Sequence, residues 1–251
     1  VKSRQAKNKV FPSMFERLKN TRVLVIGGSS GIGEATAALA LTAGALVTIA
    51  ARSPDKLQSA LQRLPPGAST SILDVVDAQA VAAFFTQHDA WDYVVLAGSY
   101  TEVGSVRALP LDDAQAAMQN KFWGAYHVGR YAKFRPGGSL VFVSGVFSMR
   151  PSKTAVLQGV INSAVESLAR GLALELAPIR VNTVSPSTTA TPLWERLGPE
   201  GKAEKFAGMS SRLPVGTIAQ PVDIAEAILA VAINRFATGS TVLVDGGDAL
   251  V

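Results

Sequence analysis

The sequence predicts a single α/β domain in three layers, a doubly wound parallel sheet with helices on both faces. Three observations predict it. An apolar run at Arg22 to Ile26 feeds a glycine-rich turn and then a helix-patterned segment; short apolar runs alternate with helical patterns from there onward; and the breaks between them are short turn signals rather than linkers. With 251 residues, 48% of them hydrophobic, the chain is long enough for one such domain with a substantial core.

Arg22 to Ile26 has strand character, and Gly27-Gly28-Ser29-Ser30-Gly31-Ile32-Gly33 follows it directly. Glycines let the backbone turn tightly and approach a ligand with no side chain between. The helix beginning near Gly31 then points free N–H groups at that ligand, which suits a nucleotide pyrophosphate. The GxxxGxG spacing is a wider relative of the GxGxxG of Rossmann-type dinucleotide sites. Ala35, Leu39 and Ala43 recur with helical spacing, Gly44 ends the helix, and Ala45 to Ala50 reads as a buried second strand, completing a βαβ unit. The uncharged stretch Ala35 to Ala51 approaches the length of a membrane span, but its pattern changes midway, so a helix and a strand of one core explain it and no membrane partner is expected.

Further strands are expected near Ser69 to Leu73, Asp92 to Ala97, Ser139 to Ser144, Ile179 to Ser185 and Thr241 to Val244. Helices are expected over Ala78 to Thr86, Asp112 to Lys133, Ala155 to Leu176 and Val222 to Ala232. Pro65-Pro66-Gly67 and Arg135-Pro136-Gly137-Gly138 mark turns, and there are no internal repeats.

The net charge of +5 owes four of its five charges to Lys2, Arg4, Lys7 and Lys9, with no acid among residues 1–13, so the domain from Met14 onward is nearly neutral. Residues 1–13 read as a disordered basic extension or a cloning remnant, and nucleic acid is not an expected partner. The chain has no cysteine and only two histidines, His88 and His127, which disfavours a metal centre; both histidines are read as structural or solvated. The N-terminus lacks the apolar core of a signal peptide, so a cytoplasmic location is expected.

These motifs together, from Thr21 to Val251, resemble the short-chain dehydrogenases/reductases. Ile26 and the glycines after it look like the family's TGxxxGxG, with Ile for Thr. Asp74-Val75 resembles the acidic pair beside the adenine ring. Leu96-Ala97-Gly98 resembles the end of the NNAG strand, with Val95 and Leu96 replacing both asparagines. Ile179 to Pro186, followed by Thr191, is similar to the segment that covers the nicotinamide, with Ser187 where glycine is usual; Asp245-Gly246-Gly247 matches the C-terminal signature. The resemblance implies a nicotinamide dinucleotide held by Gly27, Ser29, Ser30, Gly31, Ile32, Gly33, Ala51, Arg52, Asp74, Val75, Ala97, Gly98, Pro186, Ser187 and Thr191. An acidic residue at the end of the second strand would bond the ribose hydroxyls of NAD; here the strand ends Ala50-Ala51-Arg52, and a guanidinium suits the 2′-phosphate of NADP(H). Pairing of Arg52 with nearby Asp55 is the alternative.

The same resemblance exposes a departure. The family uses a Tyr acid/base, a Lys four residues later and a Ser thirteen residues earlier. Aligning Ala164-Val165-Glu166-Ser167-Leu168 to the helix after that Lys places Asn162 at the Lys position, Gln158 at the Tyr position and Gly145 at the Ser position. No displaced pair exists: four residues beyond Tyr93, Tyr100, Tyr126 and Tyr131 stand Ala97, Gly104, Arg130 and Arg135. Aligning Gly124 to the family's NxxG glycine places Lys121 at the active-site Asn position, where a desolvated ammonium acts as an acid or polarises an oxyanion; a slip of one residue would put Asn120 there instead. Ser144 is a candidate replacement hydroxyl, and Tyr100 a candidate at the cleft mouth.

The substrate region is expected between Val146 to Arg150 and a lid around Leu193-Trp194, with Phe147, Met149 and Trp194 apolar and Arg150 a candidate anion contact. Relatives pair their long helices into dimers or tetramers, and Ala164, Leu168, Gly171 and Leu172 suit such a homo-oligomeric face or a core. Two readings follow. One is an NADP(H)-dependent oxidoreductase of a small-molecule substrate, such as an imine or activated alkene, with a non-standard proton donor; the other is an inactive NADP(H)-binding pseudoenzyme or redox sensor.

Overall fold

The computed structural model describes residues 15–98 and 101–251; the basic segment 1–13, Met14 and Tyr100 lie outside the described residues. In chain order the elements are β1 (Arg22–Ile26), α1 (Gly31–Thr42), β2 (Leu46–Ala51), α2 (Pro54–Arg63), β3 (Ser69–Ile72), α3 (Ala78–Gln87), β4 (Trp91–Leu96), α4 (Leu111–Ala117), α5 (Gly124–Tyr131), β5 (Phe134–Val143), α6 (Val156–Glu175), β6 (Arg180–Pro186), α7 (Gly198–Arg212), α8 (Pro221–Ile233) and β7 (Thr241–Val244). All strand pairs are parallel, in the order β3-β2-β1-β4-β5-β6-β7.

A parallel sheet covered on both faces must bury both sides of its strands, and β1 shows it: Val23, Leu24, Val25 and Ile26 are all buried. Strand alternation sorts them. Val23 and Val25 join α1, α2 and α8 through Ala37, Leu57 and Ile228, while Leu24 and Ile26 join α3, α5 and α6 through Phe85, Val128 and Val165. Val23 pairs with Val47 on one side and Tyr93 on the other, so the strand order reverses between β1 and β4. Ligands of open α/β sheets bind at that reversal, beyond the strands' C-terminal ends.

The structure adds and corrects elements. Helices α2 and α7 are not among the segments singled out above: α2 is short and buries only Leu57 and Ala60 behind its Ser53 cap and Pro54, although Leu57, Ala60, Leu61 and Leu64 keep helical spacing, and α7 buries no residue. The expected helix Asp112 to Lys133 is α4 and α5 joined by a π-helical segment, Met118–Trp123. The expected turn at Arg135 to Gly138 lies instead inside β5, where pairing jumps from Trp91↔Phe134 to Tyr93↔Ser139; the extra residues are absorbed as a bulge, with Gly137 at φ +81.

Among the described residues no helix is long and apolar enough to cross a membrane, and no cluster of three or more His, Cys, Asp or Glu residues could hold a metal. His88 Nδ1 lies 2.8 Å from Phe84 O and His127 Nδ1 lies 2.9 Å from Val75 O, so both rings serve the backbone.

Ile228 is fully buried between sheet and helix. Ile228→Ala should lower unfolding free energy by about 2–5 kcal/mol, measured as a shift in urea midpoint at constant slope.

Candidate active site

The cleft at the reversal is built on a backbone contact that only glycine permits. A Cβ on Gly27, which sits at φ +82, would lie 2.2 Å from Gly98 N, and one on Gly33 would lie 2.2 Å from Gly27 O. The turn after β1, the first turn of α1 and the end of β4 therefore touch directly, and no side chain stands between the loop and the cleft. Arg63 of α2 fixes the loop from outside, donating to both oxygens of Glu34 (2.8 and 2.7 Å) and to Ser29 O (3.2 Å). The cleft encloses about 580 Å³. Its wall brings together Gly27, Ser29, Ser30, Gly31, Ile32, Ala51, Arg52, Val75, Ala97, Gly98, Lys121, Ser144, Pro186 and Thr191 of the residues singled out in the sequence. This cradle, with the free N–H groups of α1 at its base, fits the pyrophosphate of a dinucleotide.

Some expected residues face elsewhere. Gly33 packs behind the loop, and Asp74 turns its Oδ1 onto Val76 N at 3.0 Å. Ser187 donates its hydroxyl to Asp248. Arg52 is exposed and, among the described residues, has no ion-pair partner, so the pairing with Asp55 does not form. Arg150 is not free to meet an anion: its Nε lies 2.7 Å from Val251 O and 3.3 Å from Asp248 Oδ1. Leu172 is buried against Gly129 in the core rather than on an outer face, whereas Gly171 is exposed.

Lys121, Ser144 and Asn162, three of the candidate catalytic residues, lie in one polar cluster at the end of β5. Lys121 Nζ donates to Ser144 O at 2.7 Å, Ser144 Oγ donates to Glu166 Oε1 at 2.8 Å, and Ser148 Oγ donates to the same oxygen at 2.6 Å. Asn162 Nδ2 donates to Gly145 O at 3.0 Å. Gln158 donates through Nε2 to Glu102 O, while its buried Oε1 has no partner among the described residues. Lys121 lines the cleft and is half-buried; desolvation there lowers its pKa from 10.5 to about 8, against the opposing pull of Glu166. The π-helical segment aims Lys121 here, and Asn120 also lines the cleft.

The structure adds Glu166, Asp248, Lys56 and Arg63 to the surroundings of the cleft. Only Lys56 carries a usable signal, as the third helical residue after the Ser53-Pro54 start; the others are defined by partners 18 or more residues distant, in other elements.

A family model described as enoyl-(acyl carrier protein) reductase matches residues 27–248. The short-chain dehydrogenase/reductase ATR9 of Stachybotrys chlorohalonatus is 30% identical over 249 residues, covering 92% of this chain and 97% of that protein. Among solved structures, the MalC reductase/Diels-Alderase of Malbranchea aurantiaca superposes with a TM-score of 0.86 at 26% identity, covering 95% of this chain and all of that one. An NADPH-bound short chain oxidoreductase of Pseudomonas aeruginosa PAO1, described as containing an atypical catalytic center, superposes with a TM-score of 0.82 at 29% identity, covering 91% of this chain and 96% of that one.

The Lys121 pKa has a signed consequence for stability. Between pH 8 and 10.5 the unfolded chain holds a proton that the folded chain releases, so the penalty for burying the ammonium is full below pH 8 and is relieved as pH rises. The unfolding free energy of the unsubstituted protein minus that of Lys121→Met should therefore increase from pH 8 to 10.5 in urea titrations; a flat difference would show an ordinary lysine.

Proposed function

The chain belongs to the short-chain dehydrogenase/reductase family of nicotinamide-dependent oxidoreductases, and we propose that it is an NADP(H)-dependent member whose proton donor is Lys121. The observation that carries this reading is the position of the Lys121 ammonium, held 2.7 Å from Ser144 O by a residue on the wall of the glycine-lined cleft. When bound, the dinucleotide supplies or accepts a hydride. The chain's own residues do the rest. The glycine loop and the N-terminus of α1 hold the pyrophosphate, and Thr191 and Pro186 close the cleft above it. Arg52, without an ion-pair partner among the described residues, and Lys56 beside it offer two cations to a 2′-phosphate. The NADPH-bound relative supports that choice of cofactor.

Lys121 holds the proton. With a pKa near 8 it is protonated over most of the neutral range yet acidic enough to give the proton to a developing anion. Gln158 and Asn162 donate hydrogen bonds to backbone carbonyls and have no proton to transfer near neutral pH, so they shape the site. A single ammonium with no Tyr phenol favours substrates that need little help at oxygen: an imine, or an activated alkene whose carbonyl the ammonium polarises. Apolar surface at Trp123, Tyr126, Val156 and Val160 supports assembly into a homodimer or homotetramer.

The deciding experiment supplies NADPH deuterated at the transferring position together with a metabolite extract, and searches for labelled products. A labelled product is expected, and Lys121→Ala should reduce its rate by about 10²–10⁴-fold while NADPH affinity stays within a few-fold; tight NADPH binding with no label transferred to any compound would favour the sensor. Arg52→Asp should weaken NADPH by about tenfold or more and leave NADH little changed, as read by calorimetry.

A further inference from the structure

The serine at 187, where the family pattern has glycine, points to a connection that the chemistry at Lys121 does not use. Ser187 donates its hydroxyl to Asp248 Oδ2, and Asp248 is only 2% exposed. The other carboxylate oxygen lies 2.7 Å from Arg212 Nη1 and 3.3 Å from Arg150 Nε. Asp245 builds the turn that presents this carboxylate, accepting from Gly247 N at 3.0 Å and Ala249 N at 2.9 Å. One buried group therefore holds three segments: the stretch from Ser187 to Thr191 that closes the cleft, the Val146 to Arg150 loop beside Lys121's partners, and the last turn of α7.

Helix α7 has no other strong anchor in its own fifteen residues. It buries none of them, and it meets the Pro192–Leu197 segment through the edge-on ring pair Trp194–Phe206 at 6.3 Å and through Lys205 Nζ, 5.7 Å from the centre of the Trp194 ring. An element with so little buried surface belongs to the part of a protein that opens most easily, and its position then follows whatever holds its end. A buried carboxylate, by contrast, is costly to leave unpaired, so Asp248 has a strong preference for keeping all its partners.

We propose that Asp248 is a positioning residue that makes the two sides of the site order together: through Ser187 it registers the segment over the dinucleotide, and through Arg212 and Arg150 it sets α7 and the substrate-side loop. The proposal rests on the reading of the cleft as the NADP(H) site. It is tested by hydrogen–deuterium exchange on the full chain, with and without saturating NADPH and no substrate. In the unsubstituted protein NADPH should slow exchange at residues 27–33 and, by about tenfold or more, at residues 198–212. In Asp248→Asn the protection at 27–33 should persist while exchange at 198–212 stays within about twofold of the NADPH-free rate. Arg212→Gln, at a half-buried helix end, should do the same and keeps the test open if Asp248→Asn does not fold, and Arg212→Lys should restore protection. Equal protection of α7 in Arg212→Gln and the unsubstituted protein overturns the proposal. Protection at 27–33 without any at 198–212 in the unsubstituted protein overturns the coupling and leaves the cofactor reading standing; no protection at 27–33 overturns both.

Discussion

The contact between Gly27 and Gly98 sets the geometry on which the site depends. β1 and β4 are neighbours whose connections leave in opposite directions, and their C-terminal ends can meet only if neither residue carries a Cβ, since each would drive one into the other's backbone. Gly33 extends the same constraint into α1, whose first turn rests on Gly27 O. The cradle is therefore a product of close packing: backbone against backbone on one side and an open cleft on the other. Arg63 and Glu34 brace it from the solvent side, linking α2 to α1 and the loop through paired charge-assisted bonds.

Electrostatics then distinguishes this cleft. Burying an ammonium costs free energy unless charge or hydrogen bonds compensate, and here Ser144 O and the field of Glu166 do so only in part. The residual cost is what lowers the proton affinity of Lys121. Glu166 is itself buried and accepts from two serine hydroxyls, one of which belongs to the residue whose carbonyl receives Lys121. The ammonium and the carboxylate are thus linked through a single residue, Ser144, and the end of β5 is held from both directions.

The sequence exposes the parts of this arrangement that depend on local pattern. The strand, glycine turn and helix from Arg22 to Gly44 are legible because their signals are contiguous, and the spacing back from Gly124 reaches Lys121. Helix α7 packs no face against the core, so it has no period to detect, whereas α2 keeps a helical spacing at Leu57, Ala60, Leu61 and Leu64 within a short segment. Glu166 and Asp248 are ordinary acids in sequence; only folding brings Ser148 or Arg150 to them. The Arg135 to Gly138 stretch reads as a turn because proline and glycine favour turns, yet a bulge in β5 uses the same residues.

Three of the positions aligned with the family's active-site residues, 121, 145 and 162, depend on one another, which bears on whether the site is active or abandoned. A side chain at 145 would place its Cβ 2.8 Å from Asn162 Nδ2, so the glycine at 145 and the asparagine at 162 fit as a pair. Asn162 holds Gly145 O while Lys121 holds the adjoining Ser144 O. A lysine at 162 in that position would set a second ammonium one peptide away from the first, and like charges so close in a buried site oppose each other's ionisation. A neutral amide there removes the conflict. Lysine at 121 is thus compatible with asparagine at 162, and asparagine at 162 with glycine at 145. Sites that lose function without replacement have no reason to retain such mutual fit around a buried, titratable group. This supports relocated acid chemistry over a cleft kept only for binding.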